Sequence, residues 1–447
     1  MHQPLAGLRS PNRDRTPPRI LLYSHDTFGL GHLRRSRTIA QALVSTFPGA
    51  SALIITGSPV AGRFDFPERV DHVRLPGVVK LQDGGYTARN LGLPIEETTA
   101  IRAEIIRATA RAFRPTLAIV DKEPTGLHGE FLPALEEMRA AGGTRVVLGL
   151  RDVLDAPEVL QPEWERKEAL AAVARYYDQL WVYGLSEVYR PLDGLDLPED
   201  IAARVRYTGY LRREGAEGGG RRQAGPYVLV TPGGGGDGAA LVDWTIAAYE
   251  ADPTLAPRAL IVYGPFLDDV RKREFARRIR RLKGRVEALD FHSRMEELYA
   301  GAVGVVAMGG YNTFCEILSF DKPSVLAPRT RPRLEQRIRA EAAEALGLLR
   351  TLDHDRDGGD PRVMGEAIHA LASQAPPSAS PLPGLLDGLE RIAELTCELL
   401  DWERSGEQSS EQSDGQCAGQ PPGQRRAVTP LRRAAARLSR AAMGKRA

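Results

Sequence analysis

The chain has 447 residues, 42 % of them hydrophobic, with 60 Lys and Arg against 58 Asp and Glu, a formal net charge of +2. That length suits two domains with two cores, and no run of about 18 apolar residues marks a membrane-spanning helix. The sequence pI of 8.4 belongs to the ends: 425–447 holds eight basic residues and no acid, 1–19 carries +3, and the body from 20 to 424 is left at −9. The body is therefore not built as a polyanion-binding surface, and no nucleic-acid partner is expected.

The first 18 residues lack an apolar stretch that would serve as a secretory signal, so a cytoplasmic location is expected. They read as a disordered tail. Cys315, Cys397 and Cys417 are widely spaced and form neither a disulfide framework nor a metal-binding pair.

From residue 19 onward, short apolar runs alternate with amphipathic stretches. Strands are predicted at 19–24, 52–56, 72–75, 116–120, 145–150, 179–182 and 205–208, with helices at 33–46, 96–113, 131–141 and 163–176. This alternation implies a parallel sheet covered on both faces, here spanning 19–211. The segment 212–226 (RREGAEGGGRRQAGP) has almost nothing to bury and reads as a linker. A second series follows over 227–374. Its strands are predicted at 227–231, 259–263, 285–289, 303–307 and 324–327, and its helices at 239–250, 268–282, 294–300, 311–319 and 333–346. A last helix is expected within 385–403, and 404–447 is polar, low in complexity and basic at its end. The predicted class is α/β: two Rossmann-like domains facing each other across a cleft, with ligands at the C-terminal edges of the strands.

Four segments at those edges can carry chemistry. The loop after the first strand, Ser24-His25-Asp26-Thr27-Phe28-Gly29-Leu30-Gly31-His32, leads into a helix. Gly29 and Gly31 allow a close backbone approach there. Arg34 stands where a dinucleotide fingerprint needs its third Gly, and the second strand ends without an acid, which speaks against NAD. His32 suits a general base near neutral pH, and it equally suits a helix cap. The second segment, Thr231-Pro232-Gly233-Gly234-Gly235-Gly236-Asp237-Gly238, offers backbone N–H groups at a helix N-terminus, a setting for a diphosphate. No GK[ST] follows, so it is not a P-loop. The third, Met308-Gly309-Gly310-Tyr311-Asn312-Thr313-Phe314-Cys315-Glu316, places Glu316 where a carboxylate can accept from both hydroxyls of a ribose, or face solvent. The fourth, 328–337, collects four Arg with Glu335 and Gln336. Asp121 and Asp152, at two further strand ends, are weaker candidates for the acceptor side.

These segments, in this order, resemble the MurG-like family of GT-B glycosyltransferases, in particular its branch of predicted glycosyltransferases, over about residues 19–404. The resemblance implies transfer of a hexosyl group from a UDP-sugar (UDP-N-acetylglucosamine being one candidate) to an acceptor hydroxyl with inversion. It implies no cofactor beyond the donor substrate, and a setting in cell-envelope or polysaccharide synthesis; the sequence shows no convincing DxD metal motif, so no metal is expected. FGLGH is similar to the family's Gly-Gly-His loop, which puts His32 at the base position; independently of the resemblance, Asp26 in the same loop is a candidate to orient the ring. Gly234 to Ala239 is similar to the GGSQGA loop, with Gly236 for Ser and Asp237 for Gln. GGYNTFCE is similar to the donor motif, and Glu316 matches the ribose-binding acid. Gln336 matches one of two sugar-contacting Gln; Glu335 stands at the other, so the family's sugar preference does not carry over. Arg213 falls near an Arg that meets the diphosphate. The stretch GLGHLRRSRTIAQAL is also similar to the nucleotide-sugar hydrolase PseG, which gives the sugar to water, and a UDP-sugar 2-epimerase shares the architecture. The basic tail 425–447 has Leu and Ala at helical spacing, consistent with an anionic membrane surface and a lipid-linked acceptor, or with a free tail.

Overall fold

A computed structural model of the chain describes residues 16–25, 31–81, 85–215, 225–234 and 236–402. Both tails, from residue 1 to 15 and from 403 on, lie outside the described residues. All described residues belong to one compact unit.

The first half runs β1 (Arg19–Ser24), α1 (Gly31–Thr46), β2 (Ser51–Thr56), β3 (Val70–Arg74), β4 (Val78–Lys80), β5 (Tyr86–Ala88), α2 (Ile95–Phe113), β6 (Leu117–Asp121), α3 (Leu132–Ala141), β7 (Arg145–Arg151), α4 (Pro157–Arg166), α5 (Ala169–Tyr176), β8 (Gln179–Tyr183), α6 (Glu199–Ala202) and β9 (Val205–Tyr207). The second half runs β10 (Tyr227–Thr231), α7 (Ala239–Ala251), β11 (Arg258–Val262), α8 (Asp269–Arg281), β12 (Val286–Leu289), α9 (Met295–Gly301), β13 (Gly304–Ala307), α10 (Tyr311–Ser319), β14 (Ser324–Leu326), α11 (Glu335–Ala345), β15 (Arg350–Thr351), α12 (His354–Asp357), α13 (Pro361–Ala370) and α14 (Gly388–Leu399).

Seven strands form one parallel sheet in the order β3-β2-β1-β6-β7-β8-β9, and six form a second in the order β12-β11-β10-β13-β14-β15. Side chains alternate across a strand, so β1 sends Ile20 and Leu22 into one core and Leu21 and Tyr23 into another. Likewise β10 sends Leu229 one way and Val228 and Val230 the other. Each sheet is thus apolar on both faces, as the unbroken apolar runs required. In both sheets the order reverses beside the first strand. Those switch points, between β1 and β6 and between β10 and β13, are where doubly wound sheets hold ligands.

The core that takes in Leu22 also takes in Leu229, Ile392, Leu395 and Trp402, so one apolar body joins both halves. The returning helix α14 is part of that join: Tyr210 N–H donates to Leu385 O (2.8 Å) and Phe47 meets Trp402 edge to face. Polar ties reinforce it. Arg339 of α11 donates to both oxygens of Asp152 beyond β7 (2.7 and 2.5 Å), with both side chains 0 % exposed. Arg333 meets Asp155 (3.3 Å) and Glu163 (2.9 Å).

Three local expectations need correction. The predicted linker does bury a residue at its start: Arg213 is 8 % exposed, its N–H donates to Ser319 Oγ (2.9 Å), and its guanidinium donates to Asn312 (2.8 Å) and Thr38. The single helix expected over 163–176 is two, because Glu168 takes a left-handed backbone (φ 48°) between α4 and α5. The β4–β5 hairpin was not foreseen; its three-residue strands are too short to show alternation.

Candidate functional site

The switch point of the first sheet explains the central pair. His32 opens α1 just beyond β1, and Asp121 ends β6, the strand that pairs with β1. Neighbouring strand ends bring the two together although 89 positions separate them: His32 Nδ1 lies 2.9 Å from Asp121 Oδ2. Arg35, one turn along α1 and 2 % exposed, donates to both Asp121 oxygens (2.6 and 2.5 Å). Burial alone would raise the Asp121 pKa; Arg35 and His32 outweigh it and hold the carboxyl well below the usual range. Arg35 Nη2 also lies 3.0 Å from Nδ1, but its shorter bonds run to the two carboxylate oxygens; the carboxylate is the acceptor near Nδ1, so the ring proton is assigned to Nδ1, leaving the lone pair on Nε2.

Two cavities meet at this imidazole. A cleft of about 550 Å³ between the two sheets is lined by Gly31, His32, Arg34 and Arg151 from one side and by the loops after β10, β12 and β13 from the other. A second cavity of about 850 Å³ lies mostly in the first half, lined by His25, His32, Tyr86, Lys122, Glu123, His128, Lys167 and Tyr176, with Arg333 reaching in from the second. Among the described residues that line them, His32 is the only one common to both.

The cleft is suited to an anion. Gly234, Gly236 and Asp237 line it before α7. Gly238 must be Gly: a Cβ there would stand 2.1 Å from Pro232 Cβ. Arg151 also faces the cleft, its buried Nε has no partner among the described residues, and burial followed by the nearby Arg35 and Arg339 outweighs Glu335 to draw its pKa down to about 10. A cation so poorly compensated favours an incoming negative charge. Glu335 is 4 % exposed, bonded by Arg329 (2.5 Å), with its Oε2 buried and unpartnered. Burial would raise its pKa, but Arg151, Arg329 and Arg339 lower it. Gln336 lines the cleft and accepts from Arg329 N–H (3.2 Å). Gly310, Asn312, Thr313 and Glu316 line the opposite wall. The Glu316 carboxylate, 2 % exposed, accepts from Arg34 across the cleft.

The larger cavity is walled by alternating charges. Glu123 meets Lys122 (3.1 Å) and Lys167 (2.7 Å), and Glu163 meets Lys167 (2.6 Å) and Arg333 (2.9 Å). Burial would raise the Glu123 pKa; Lys122, His25 and Lys167 carry it well below the usual range. Three lining residues hold left-handed backbones that only Gly adopts freely: Lys122 (φ 72°), His128 (φ 49°) and Glu168 (φ 48°). Such strain gathers at sites whose side chains must be aimed.

Several candidates are displaced from their expected roles. Asp121 is 3 % exposed and spent on His32 and Arg35, so it orients the imidazole and does not face an acceptor. Asp152 is 0 % exposed and saturated by Arg339 and Tyr210, so it ties the halves together. Arg213 does not itself line the cleft: its guanidinium donates to Thr38 and to Asn312, which does line it. Gly309 turns the chain at φ 80° and its carbonyl accepts from Arg339 (3.0 Å). Asp26, Gly29 and Gly235 lie outside the described residues. Sequence reasoning assigned no role to Arg34, His25 or Phe291. Phe291, 46 % exposed in the cleft wall after β12, sits at the same strand edge that the other motifs marked.

No family model matches the chain. Among curated proteins, N5-carboxyaminoimidazole ribonucleotide synthase of Vibrio parahaemolyticus is 31 % identical over 174 residues, covering 35 % of this chain and 42 % of that protein. A Vibrio vulnificus counterpart is 30 % identical over the same extent. The chain thus spans about two-fifths of the length of the curated relatives it matches. Solved structures align far more completely. A UDP-glucosyltransferase from Polygonum tinctorium, capable of glucosylating indoxyl, has a TM-score of 0.55 at 15 % identity, covering 87 % of this chain and 100 % of that one. UGT2 of Phytolacca americana, with UDP-2-fluoro-glucose and pterostilbene, scores 0.53 at 16 % identity over 86 % and 99 %. MurG of Acinetobacter baumannii scores 0.50 at 12 % identity over 87 % and 96 %. The shared feature is the fold: this chain has the GT-B arrangement of two Rossmann-like domains.

Proposed function

We propose that the protein is a glycosyltransferase that moves a hexosyl group from a UDP-sugar to an acceptor hydroxyl with inversion. The observation that carries this reading is that His32, its Nδ1 fixed by Asp121, lines both the cleft rich in anion-binding groups and the separate larger cavity. A base so placed can serve two substrates that enter from different sides. The likeness to sugar-transferring enzymes of the same fold supports it.

In this reading the acceptor hydroxyl gives its proton to His32 Nε2 as its oxygen attacks the anomeric carbon from the face opposite the diphosphate. The bond to the diphosphate oxygen breaks, and the leaving charge falls to the N–H groups before α7 and the guanidinium of Arg151. These fixed donors are proposed to stabilise that charge without a metal ion. Glu316 accepts from the ribose once Arg34 has been displaced, and Phe291 offers a flat face to the base. Glu335 and Gln336 meet the transferred sugar; the unpartnered Oε2 of Glu335 is free to accept from it.

Of the two plant enzymes, one glucosylates indoxyl and the other is seen in complex with pterostilbene, both aromatic. The cavity here is walled by Glu123, Lys122, Lys167 and Glu163, which suits a hydrophilic acceptor. The test is a panel of nucleotide sugars, UDP-N-acetylglucosamine included, scored for UDP release with and without candidate acceptors. Acceptor-dependent release with an inverted product supports the transferase. Rapid, complete release of free sugar without acceptor would assign the chain to nucleotide-sugar hydrolysis instead, and formation of an epimer to epimerisation.

A further inference from the structure

The larger cavity contains a second imidazole that the proposed mechanism leaves unused. His25 follows β1 directly, is 8 % exposed and lines this cavity with His32. The two rings meet edge to face, with centroids 5.9 Å apart. The Nδ1 atom of His25 is sealed from solvent and has no hydrogen-bond partner among the described residues. An orphaned buried N–H costs more than a bare acceptor lone pair, which assigns the ring proton to Nε2. Burial is the main influence on the ring: with Lys122 and His32 it outweighs Glu123 and Asp121 and draws the pKa down to about 3. At neutral pH His25 is thus an uncharged donor beside a base, and does not compete for the proton that His32 takes.

We propose that His25 is an acceptor-binding residue whose Nε2–H holds a second hydroxyl, on the carbon next to the one that reacts, so that the acceptor is a sugar or polyol with vicinal hydroxyls. The inference rests on the acceptor role proposed for this cavity. Two imidazoles at this spacing reach two neighbouring hydroxyls by one hydrogen bond each, of about 2.8 Å. The alternating ammonium and carboxylate groups of Lys122, Glu123 and Lys167 match hydroxyls, which both donate and accept. The left-handed turn at Lys122 holds that pattern against the two rings.

The experiment measures binding, so it does not depend on knowing the donor. With excess UDP present, the protein is titrated by saturation-transfer NMR with the methyl glycosides of glucose, galactose, mannose and N-acetylglucosamine. The monodeoxy analogues of the best binder and para-nitrophenol follow. The expected result is a sugar that binds at least tenfold better than para-nitrophenol, and one monodeoxy analogue that binds about threefold to tenfold more weakly, the loss of one neutral hydrogen bond. That penalty vanishes in His25→Ala. His25→Gln, which keeps an N–H donor, retains part of it and guards against a folding artefact. A penalty that persists in His25→Ala overturns the proposal, and so does a cavity that binds no sugar or prefers para-nitrophenol. Calorimetric UDP binding to the wild type is read separately: if it fails, the donor reading falls while the sugar comparison still decides the role of His25.

Discussion

Replacing Asp121 by Asn changes one atom and tests the geometry at the base directly. The carboxylate takes three close contacts: His32 Nδ1 at 2.9 Å and Arg35 Nη2 at 2.6 and 2.5 Å. Asn supplies one acceptor oxygen, so in either orientation its NH₂ faces the guanidinium or the imidazole. Turned toward the imidazole, it selects the tautomer protonated on Nε2, which cannot accept the hydroxyl proton. The expected loss in kcat is about 10²- to 10⁴-fold, the range associated with a general base that is lost or held in the wrong tautomer. Arg35, 2 % exposed, also loses its counter-charge, and an uncompensated buried cation costs about 3–5 kcal/mol of stability. The assays are steady-state UDP release, urea unfolding, and ¹⁵N shifts of the His32 ring, which read the tautomer independently of folding. A folded Asp121→Asn protein with kcat within threefold of wild type and an unchanged His32 tautomer would refute the orienting role.

Other expectations follow from the same contacts. Glu316→Gln should weaken UDP binding about tenfold by calorimetry, since a neutral amide accepts less strongly from ribose hydroxyls; unchanged affinity would remove Glu316 from the donor site. Arg339→Met should destabilise the protein by about 3–5 kcal/mol, because it strands the 0 % exposed Asp152 carboxylate between the two halves; an unaltered urea midpoint would contradict that tie. Stability should fall with pH in two stages. His25 is neutral when folded, with a pKa near 3, and protonates in the unfolded chain from about 6.5 downward, so its contribution declines over that interval. Glu163 is held down to about 2, with burial opposing and Lys167 and Arg333 prevailing, so its contribution is present above about 4.5 and is lost as pH falls toward 2. Urea titrations should show His25→Gln flattening the slope from about pH 6.5 down to about 3; an identical slope between about pH 6.5 and 4.5, above the range of Glu163, would refute the first stage.

Much of the architecture could be read from residues in a row. Runs such as Ile20 to Tyr23 and Val228 to Val230 are apolar on every position, the pattern of a strand covered on both faces. The Gly-rich loops identified the strand ends where ligands gather. The site's pairings could not be read in that way. Arg34 meets Glu316 across 282 positions and Arg339 meets Asp152 across 187; such contacts are set by how two sheets face each other. His32 and Asp121 are an intermediate case, since a sheet that reverses at β1 puts the ends of β1 and β6 side by side. Asp26, the neighbour that proximity in sequence offers, lies outside the described residues; the sheet order adds Asp121, which no local stretch reveals as a partner of His32. Arg213 shows the limit of a motif: the family resemblance points to a diphosphate, while its neighbours here make it a tie between domains.

The central claim is that one imidazole serves both cavities as the base. The direct measurement is kcat for UDP-sugar turnover in His32→Ala, alongside calorimetric UDP affinity of the same sample. The account predicts a fall in kcat of about 10²- to 10⁴-fold with UDP affinity within about twofold of wild type. An unchanged kcat in a protein that still binds UDP would contradict it.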